Sequence, residues 1–141
     1  MAKRIGDVQI GLFAHRAYLE KHGAPELFTD VGQTAIGFDR EDQTMRALNR
    51  SNLPLDRDVF AFRSDSDLAQ LGALRAGFGI GGAMFGLARR DPDLVQVLPG
   101  VRFDMEIWVV MHEDLKASRR MKLMFDHLVA DLGAYAATSR A

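Results

Sequence analysis

Apolar residues dominate positions 8–13 with partial alternation, which predicts a first strand. Residues 15–21 follow as a short helix, ended by Gly23 and followed by Pro25. Residues 26–30 add a further turn, and residues 34–38 form a second strand candidate. Residues 39–53 are charged and weakly periodic, helix or loop, closed by Pro54. The most informative stretch comes next. Residues 59–62 are an apolar run consistent with a buried strand, and Ser64, Asp65 and Ser66 offer oxygen acceptors to the free N–H groups of a helix start. Leu68, Leu71, Leu74 and Phe78 follow at spacings of three and four, one apolar helical face, and Gly77 stands where a left-handed residue ends the helix. Residues 80–85 are a second short apolar run. The result is a strand–helix–strand unit whose helix start opens at the strand's carboxyl end, where open α/β sheets bind small ligands.

Beyond this unit, residues 87–90 continue as a short helix and Asp91-Pro92-Asp93 is a turn. Residues 94–98 alternate as a strand ended by Pro99-Gly100. Residues 103–111, rich in aromatic and β-branched side chains, are the strongest strand in the chain. Ser118 can cap a last helix whose apolar stripe is Met121, Phe125, Leu128, Leu132 and Tyr135. Strands alternate with helices, so the class is α/β with a largely parallel sheet.

Composition narrows the function without naming it. A chain of 141 residues with 48% hydrophobic and 26% charged content is one globular domain, or one and a fraction. The net charge of −1 supplies no basic field for nucleic acid or anionic membrane. Cysteine is absent, which excludes disulfides, thiol catalysis and zinc–thiolate sites. Lys3 and Arg4 suit the start of a signal peptide, but Asp7 and Gln9 interrupt its apolar core, and no run reaches a membrane span. The expectation is a cytoplasmic protein without a membrane partner.

The hydroxyls of Ser64 and Ser66, with the first N–H groups of the following helix, could hold a carboxylate or other anion beside Asp65. Ordinary capping explains the same residues equally well, and Asp65 and Asp67 put negative charge at that spot. Gly77, Gly79, Gly81 and Gly82 follow a helix and enter a strand, the reverse of a dinucleotide fingerprint. His112, Glu113 and Asp114 are consecutive at a strand end and do not converge on one ion, and His127 with Asp131 is a common surface pair. No nucleophile elbow, phosphate loop or zinc-protease motif is present. Neither a cofactor nor catalytic residues are expected.

An ordered set of short strings carries a family resemblance. Gly11-Leu12-Phe13-Ala14, Ala17-Tyr18-Leu19 and His22-Gly23 are followed by Phe62-Arg63-Ser64, Ala73, Arg75-Ala76-Gly77 and Gly79-Ile80. Asp91-Pro92-Asp93-Leu94-Val95, Leu98-Pro99, Glu106-Ile107-Trp108-Val109-Val110, His112 and Asp114-Leu115 complete the set. The chain resembles the C-terminal part of the effector-binding domain of LysR-type transcriptional regulators. That resemblance implies an α/β fold of the periplasmic-binding-protein type 2 kind, a Rossmann-like mixed sheet flanked by helices. Positions 14–103 would be the second subdomain. Positions 1–13 and 104–141 would be crossing strands and a C-terminal helix belonging to a truncated first subdomain.

The implied function is sensing of a small effector, anionic if the helix start binds it, together with homo-oligomerisation and without enzymatic activity. DNA would be reached only through a helix-turn-helix domain that this chain lacks. The resemblance adds His15 and Arg16, after the crossing strand, and Gly82, Ala83, Met84 and Phe85, at the end of the second strand of the unit, to the effector-binding candidates. His15 and Arg16 could recognise an acidic ligand as two donors, and Met84 stands where the family often has a proline. Lacking most of the first subdomain, the chain should leave its crossing strands and last apolar stripe uncovered, favouring a dimer or swapped assembly. The alternatives are a standalone ligand-binding or dimerisation module and a small α/β hydrolase or transferase.

Overall fold

The structure, a computed structural model, describes residues 1–27, 34–40 and 57–140. The expected turn at 26–30 and the charged segment 39–53 with Pro54 lie mostly outside the described residues. Two long strands organise the rest: β1 (Ala2–His15) and β5 (Leu94–Val110). They pair antiparallel along nearly their whole length, from Ala2 opposite Val110 to His15 opposite Leu94. Both are longer than their local patterns predict, because each supplies the other's ladder partners from the far side of the chain, from Leu94 opposite His15 to Val110 opposite Ala2.

The expected break at Pro99-Gly100 is a bulge inside β5. The register passes from Leu12 opposite Val97 to Gly11 opposite Arg102, so residues 98–101 are extruded from the ladder. Proline has no N–H to give a ladder, and Leu98 turns the chain there with φ of 47°.

Three short strands, β2 (Ala35–Gly37), β3 (Phe60–Arg63) and β4 (Ile80–Met84), complete a sheet of order β3-β2-β4-β1-β5. β2 is parallel to both β3 and β4, whereas β1 is antiparallel to β4 and to β5. The sheet is therefore mixed, as the periplasmic-binding-protein-like expectation requires. Alternation of side chains divides its core between two faces. Ala14, Tyr18, Ala35, Phe60, Ile80 and Val97 are buried together on one, and Phe13, Ile36, Leu74, Ala83, Phe85, Ala88 and Leu94 on the other.

The helices begin and end where local chemistry predicts. α1 (Arg16–His22) is capped by His15, whose Nδ1 accepts from Ala17 N at 3.0 Å, and is closed by Gly23 at φ 78°. α2 (Asp67–Arg75) is capped by Ser66 and followed by Gly77 at φ 76°. Its buried face differs from the expected one. Leu74 is buried and Leu71 is half-buried, but Leu68 is 81% exposed and Phe78 is 44% exposed. Phe78 lies beyond the helix end and meets the edge of Phe62 with ring centres 5.8 Å apart.

α3 (Phe85–Ala88) is a single turn, and α4 (Arg119–Thr138) starts at Ser118, whose Oγ accepts from Met121 N at 3.4 Å. Phe125 of α4 is buried against Val109 and Met111, with Met121, Val129 and Leu132 around it. Val129 takes the place expected for Leu128, which stays 39% exposed. The stripe expected to be uncovered is thus seated on the far half of the β1–β5 ribbon. At its end Ser139 is wholly buried: its Oγ accepts from Gly86 N at 3.0 Å and its carbonyl from Gln9 N at 2.8 Å. Among the described residues no helix is long and apolar enough to cross a membrane.

Candidate functional site

Because β2, β3 and β4 are parallel, their carboxyl ends, Gly37, Arg63 and Met84, share one edge of the sheet. The segment leaving β3 is tied down there by its own polar groups. Ser64 N donates to Gly37 O at 3.0 Å, and Asp65 Oδ1 accepts from the backbone N–H groups of Asp39 and Arg40 at 3.1 and 3.0 Å. Ser66 N donates to Ser64 Oγ at 3.2 Å, Ser66 Oγ accepts from Ala69 N at 3.3 Å, and Gln70 Nε2 donates to Ser64 O at 2.7 Å. Ser64, Asp65 and Ser66 thus all accept bonds from backbone N–H groups, which is capping and turn chemistry. The N–H groups of Asp67 and Leu68, in the first turn of α2, have no acceptor within the helix.

A cavity of about 280 Å³ opens at this edge and extends over one face of the sheet. Its wall includes Gly82, Ala83 and Met84 of β4, Gly37 and Phe38 after β2, and Leu68, Gln70 and Leu71 of α2. Ile10 of β1 and Val101, Phe103 and Met105 of β5 close the side next to the ribbon. Asp67 and Gln70 are the polar side chains among the described lining residues. Gly82 leaves room in the wall, since a Cβ there would meet nothing nearer than Ile10 Cγ2 at 3.6 Å. Phe85 does not line the cavity: it is 4% exposed and packs edge-on against Phe13, with ring centres 5.4 Å apart.

The structure brings part of the expected site together and leaves part elsewhere. Ser64, Asp65, Ser66 and residues 82–84 lie toward the carboxyl edge, but of these residues 82–84 line the cavity and Ser64, Asp65 and Ser66 do not. His15 and Arg16 lie at the opposite end of the strands, because β1 runs antiparallel to β4 and places Ile10 opposite Met84 but Ala14 opposite Ile80. Four strand residues separate those levels, roughly 13 Å. There His15 caps α1 with its Nε2 3.9 Å from Asp93 Oδ2, and Arg16 donates to Pro92 O at 3.0 Å.

Lining residues that the sequence did not single out include Ile10, Val101, Phe103, Met105 and Gln70, while Asp67 was legible there as a charge beside the helix start. Phe103 and Met105 sit two apart in a predicted strand, so their shared face was legible, but not what that face covers. Among the described residues no group of three or more possible metal ligands converges. Away from the cavity, Trp108 Nε1 donates to Glu106 Oε2 at 3.0 Å and Arg4 Nε lies 3.2 Å from Glu106 Oε1. These two bonds, the indole's first, hold the Glu106 carboxyl below its ordinary value.

The family model described as the LysR substrate binding domain matches residues 2–133. Among solved structures, the regulatory domain of CrgA, a LysR-type transcriptional regulator from Neisseria meningitidis, aligns at 21% identity with a TM-score of 0.74. The alignment covers 94% of this chain and 69% of that one. Full-length AphB, the virulence activator of Vibrio cholerae, aligns at 19% identity and a TM-score of 0.62, over 93% of this chain and 47% of its own. The OxyR2 regulatory domain from Vibrio vulnificus aligns at 16% identity and a TM-score of 0.61, over 96% of this chain and 65% of its own. At these identities the likeness establishes the fold. The chain spans about half the length of the full-length regulators, 48% in the case of CrgA. No curated protein matches this chain in sequence.

Proposed function

Because the chain belongs to the LysR substrate-binding domain family, we propose that it senses a small-molecule effector at the carboxyl edge of β2, β3 and β4 for a transcriptional regulator. Domains of this family are regulatory and not enzymes, so the cavity is read as a receptor. The observation that carries the reading is the position of the cavity. It touches both long strands beside the β5 bulge, so a ligand there contacts β4 and the β1–β5 ribbon together. Residues 14–103 are assigned to the effector-facing subdomain, and residues 1–13 and 104–141 to the crossing strands and terminal helix. DNA contact is assigned to a helix-turn-helix domain, which the matched residues do not include, and the working compartment to the cytoplasm.

The proposed site is residues 64–66 and 82–84 together with Asp67, Gln70, Ile10 and Phe103. His15 and Arg16 are left out of it, being at the wrong end of the strands, and Phe85 serves as core behind the wall. Occupancy has a short route to α4, because the Tyr135 hydroxyl lies 3.5 Å from Met84 Sδ in the cavity wall. Binding that prefers one arrangement of these elements shifts their population by its differential affinity.

Thermal-shift titration of the chain and its Gly82→Leu variant with a panel of small metabolites tests the assignment. Compounds that raise the melting temperature of the first should fail to raise that of the second. Equal stabilisation of both would place the site elsewhere.

A further inference from the structure

We propose that the cavity's ligand is an apolar molecule with a cationic head group, of the arylalkyl-ammonium class, and not an anion. The inference rests on the sensing function proposed above and specifies the chemistry of the same site. Size sets the first condition. An apolar cavity of ~150 Å³ already accommodates a benzene-sized molecule, so about 280 Å³ takes an aromatic ring with a short tail. The wall sets the second, since Ile10, Leu12, Phe38, Leu71 and Phe103 offer hydrocarbon, and the Met84 thioether already faces the Tyr135 hydroxyl.

Charge sets the third. Asp67 is the charged side chain among the described lining residues, and it has no ion-pair partner among the described residues. Its neighbour Asp65 differs, with Oδ2 3.8 Å from Arg40 Nε and Oδ1 taken by two backbone N–H groups. An anion at the helix start would have to share the first turn of α2 with the Asp67 carboxylate. Asp67 is exposed, so solvent screens this repulsion and it is modest. A cation at the same place gains that attraction instead, while its apolar body fills the wall. No described Lys, Arg or His lines the cavity to favour the opposite choice. A carboxylate in the first turn also stabilises a helix through its dipole. That role predicts a change of stability on removing Asp67 but no change of ligand preference.

The test uses the full chain, nitrogen-15 labelled, titrated with three probes of similar shape: phenethylammonium, 2-phenylethanol and phenylacetate. Shifts should centre on the amides of Asp67, Gln70, Gly82 and Ala83. The ammonium should bind roughly three- to fivefold more tightly than the alcohol, and the carboxylate more weakly than both. Asp67→Asn should bring ammonium and alcohol within about twofold of each other, and Gly82→Leu should weaken all three probes together. If the carboxylate binds tightest, or the order is unchanged in Asp67→Asn, the cationic assignment is overturned and sensing at this cavity stands. If no probe binds, or Gly82→Leu leaves binding intact, the cavity is not the receptor site and both readings fall.

Discussion

Removing one hydroxyl, in Ser139→Ala, tests how the end of the C-terminal helix is held to α3 and β1. Ser139 is 0% exposed, and its Oγ accepts the N–H of Gly86, itself buried at the start of α3. The alanine variant keeps the Cβ but leaves the Gly86 N–H without its partner, away from water. A buried donor stripped of its acceptor costs about 1–3 kcal/mol. For a chain of this length that corresponds to a fall in Tm of roughly 3–10 °C. Replacing the half-buried cap at the other end of the same helix, Ser118→Ala, should cost about 1 kcal/mol. Urea titration followed by far-ultraviolet circular dichroism measures both losses, and amide exchange at Gly86 locates the first. A Ser139→Ala variant within about 0.5 kcal/mol of the parent, with Gly86 still protected, would show that this bond does not hold the helix end. The N–H would then have another acceptor, and the end of α4 would not depend on this bond.

Gly77 holds φ of 76° with its nearest neighbour for a Cβ, His15 Cβ, 3.8 Å away, so Gly77→Ala meets backbone strain and no clash. It should lose about 1–2 kcal/mol in chemical denaturation, and no loss would mean the turn relaxes. The Glu106 carboxyl, held low by Trp108 and then Arg4, should titrate closer to its ordinary value in Trp108→Phe when followed by carbon-13 resonances. Because its folded value is depressed, the stabilisation is present above the unfolded value, about 4.3, and is lost as pH falls through the folded value. Added salt should shrink it, since the group is exposed. Trp108 and Val110 are 50% and 72% exposed on the open face of β5, an edge strand, and this surface should support self-association. Light scattering should show dimers that Val110→Lys converts to monomers, whereas a stable monomer at high concentration counts against it.

Features that neighbours along the chain settle could be read from the residues alone. Ser66 and Ser118 accept N–H groups three residues on, and Gly23 and Gly77 adopt positive φ after helices. These are short-range matters of hydrogen bonding and allowed dihedrals, so the strand–helix–strand unit and the last helix were legible, and the ordered strings pointed to the family.

The remaining features depend on partners distant in sequence. The pairing of β1 with β5 turned Pro99-Gly100 from a strand end into a bulge, because ladder continuity on both sides outweighed one missing N–H. The antiparallel direction of β1 carried His15 and Arg16 to the far end of the sheet from Ser64 and Met84. The same folding set Phe103 and Met105 opposite the start of α2 and made Asp67 the charge that faces the cavity. Which ends of the strands meet, and what lies between them, is a property of chain direction in space that no local pattern encodes.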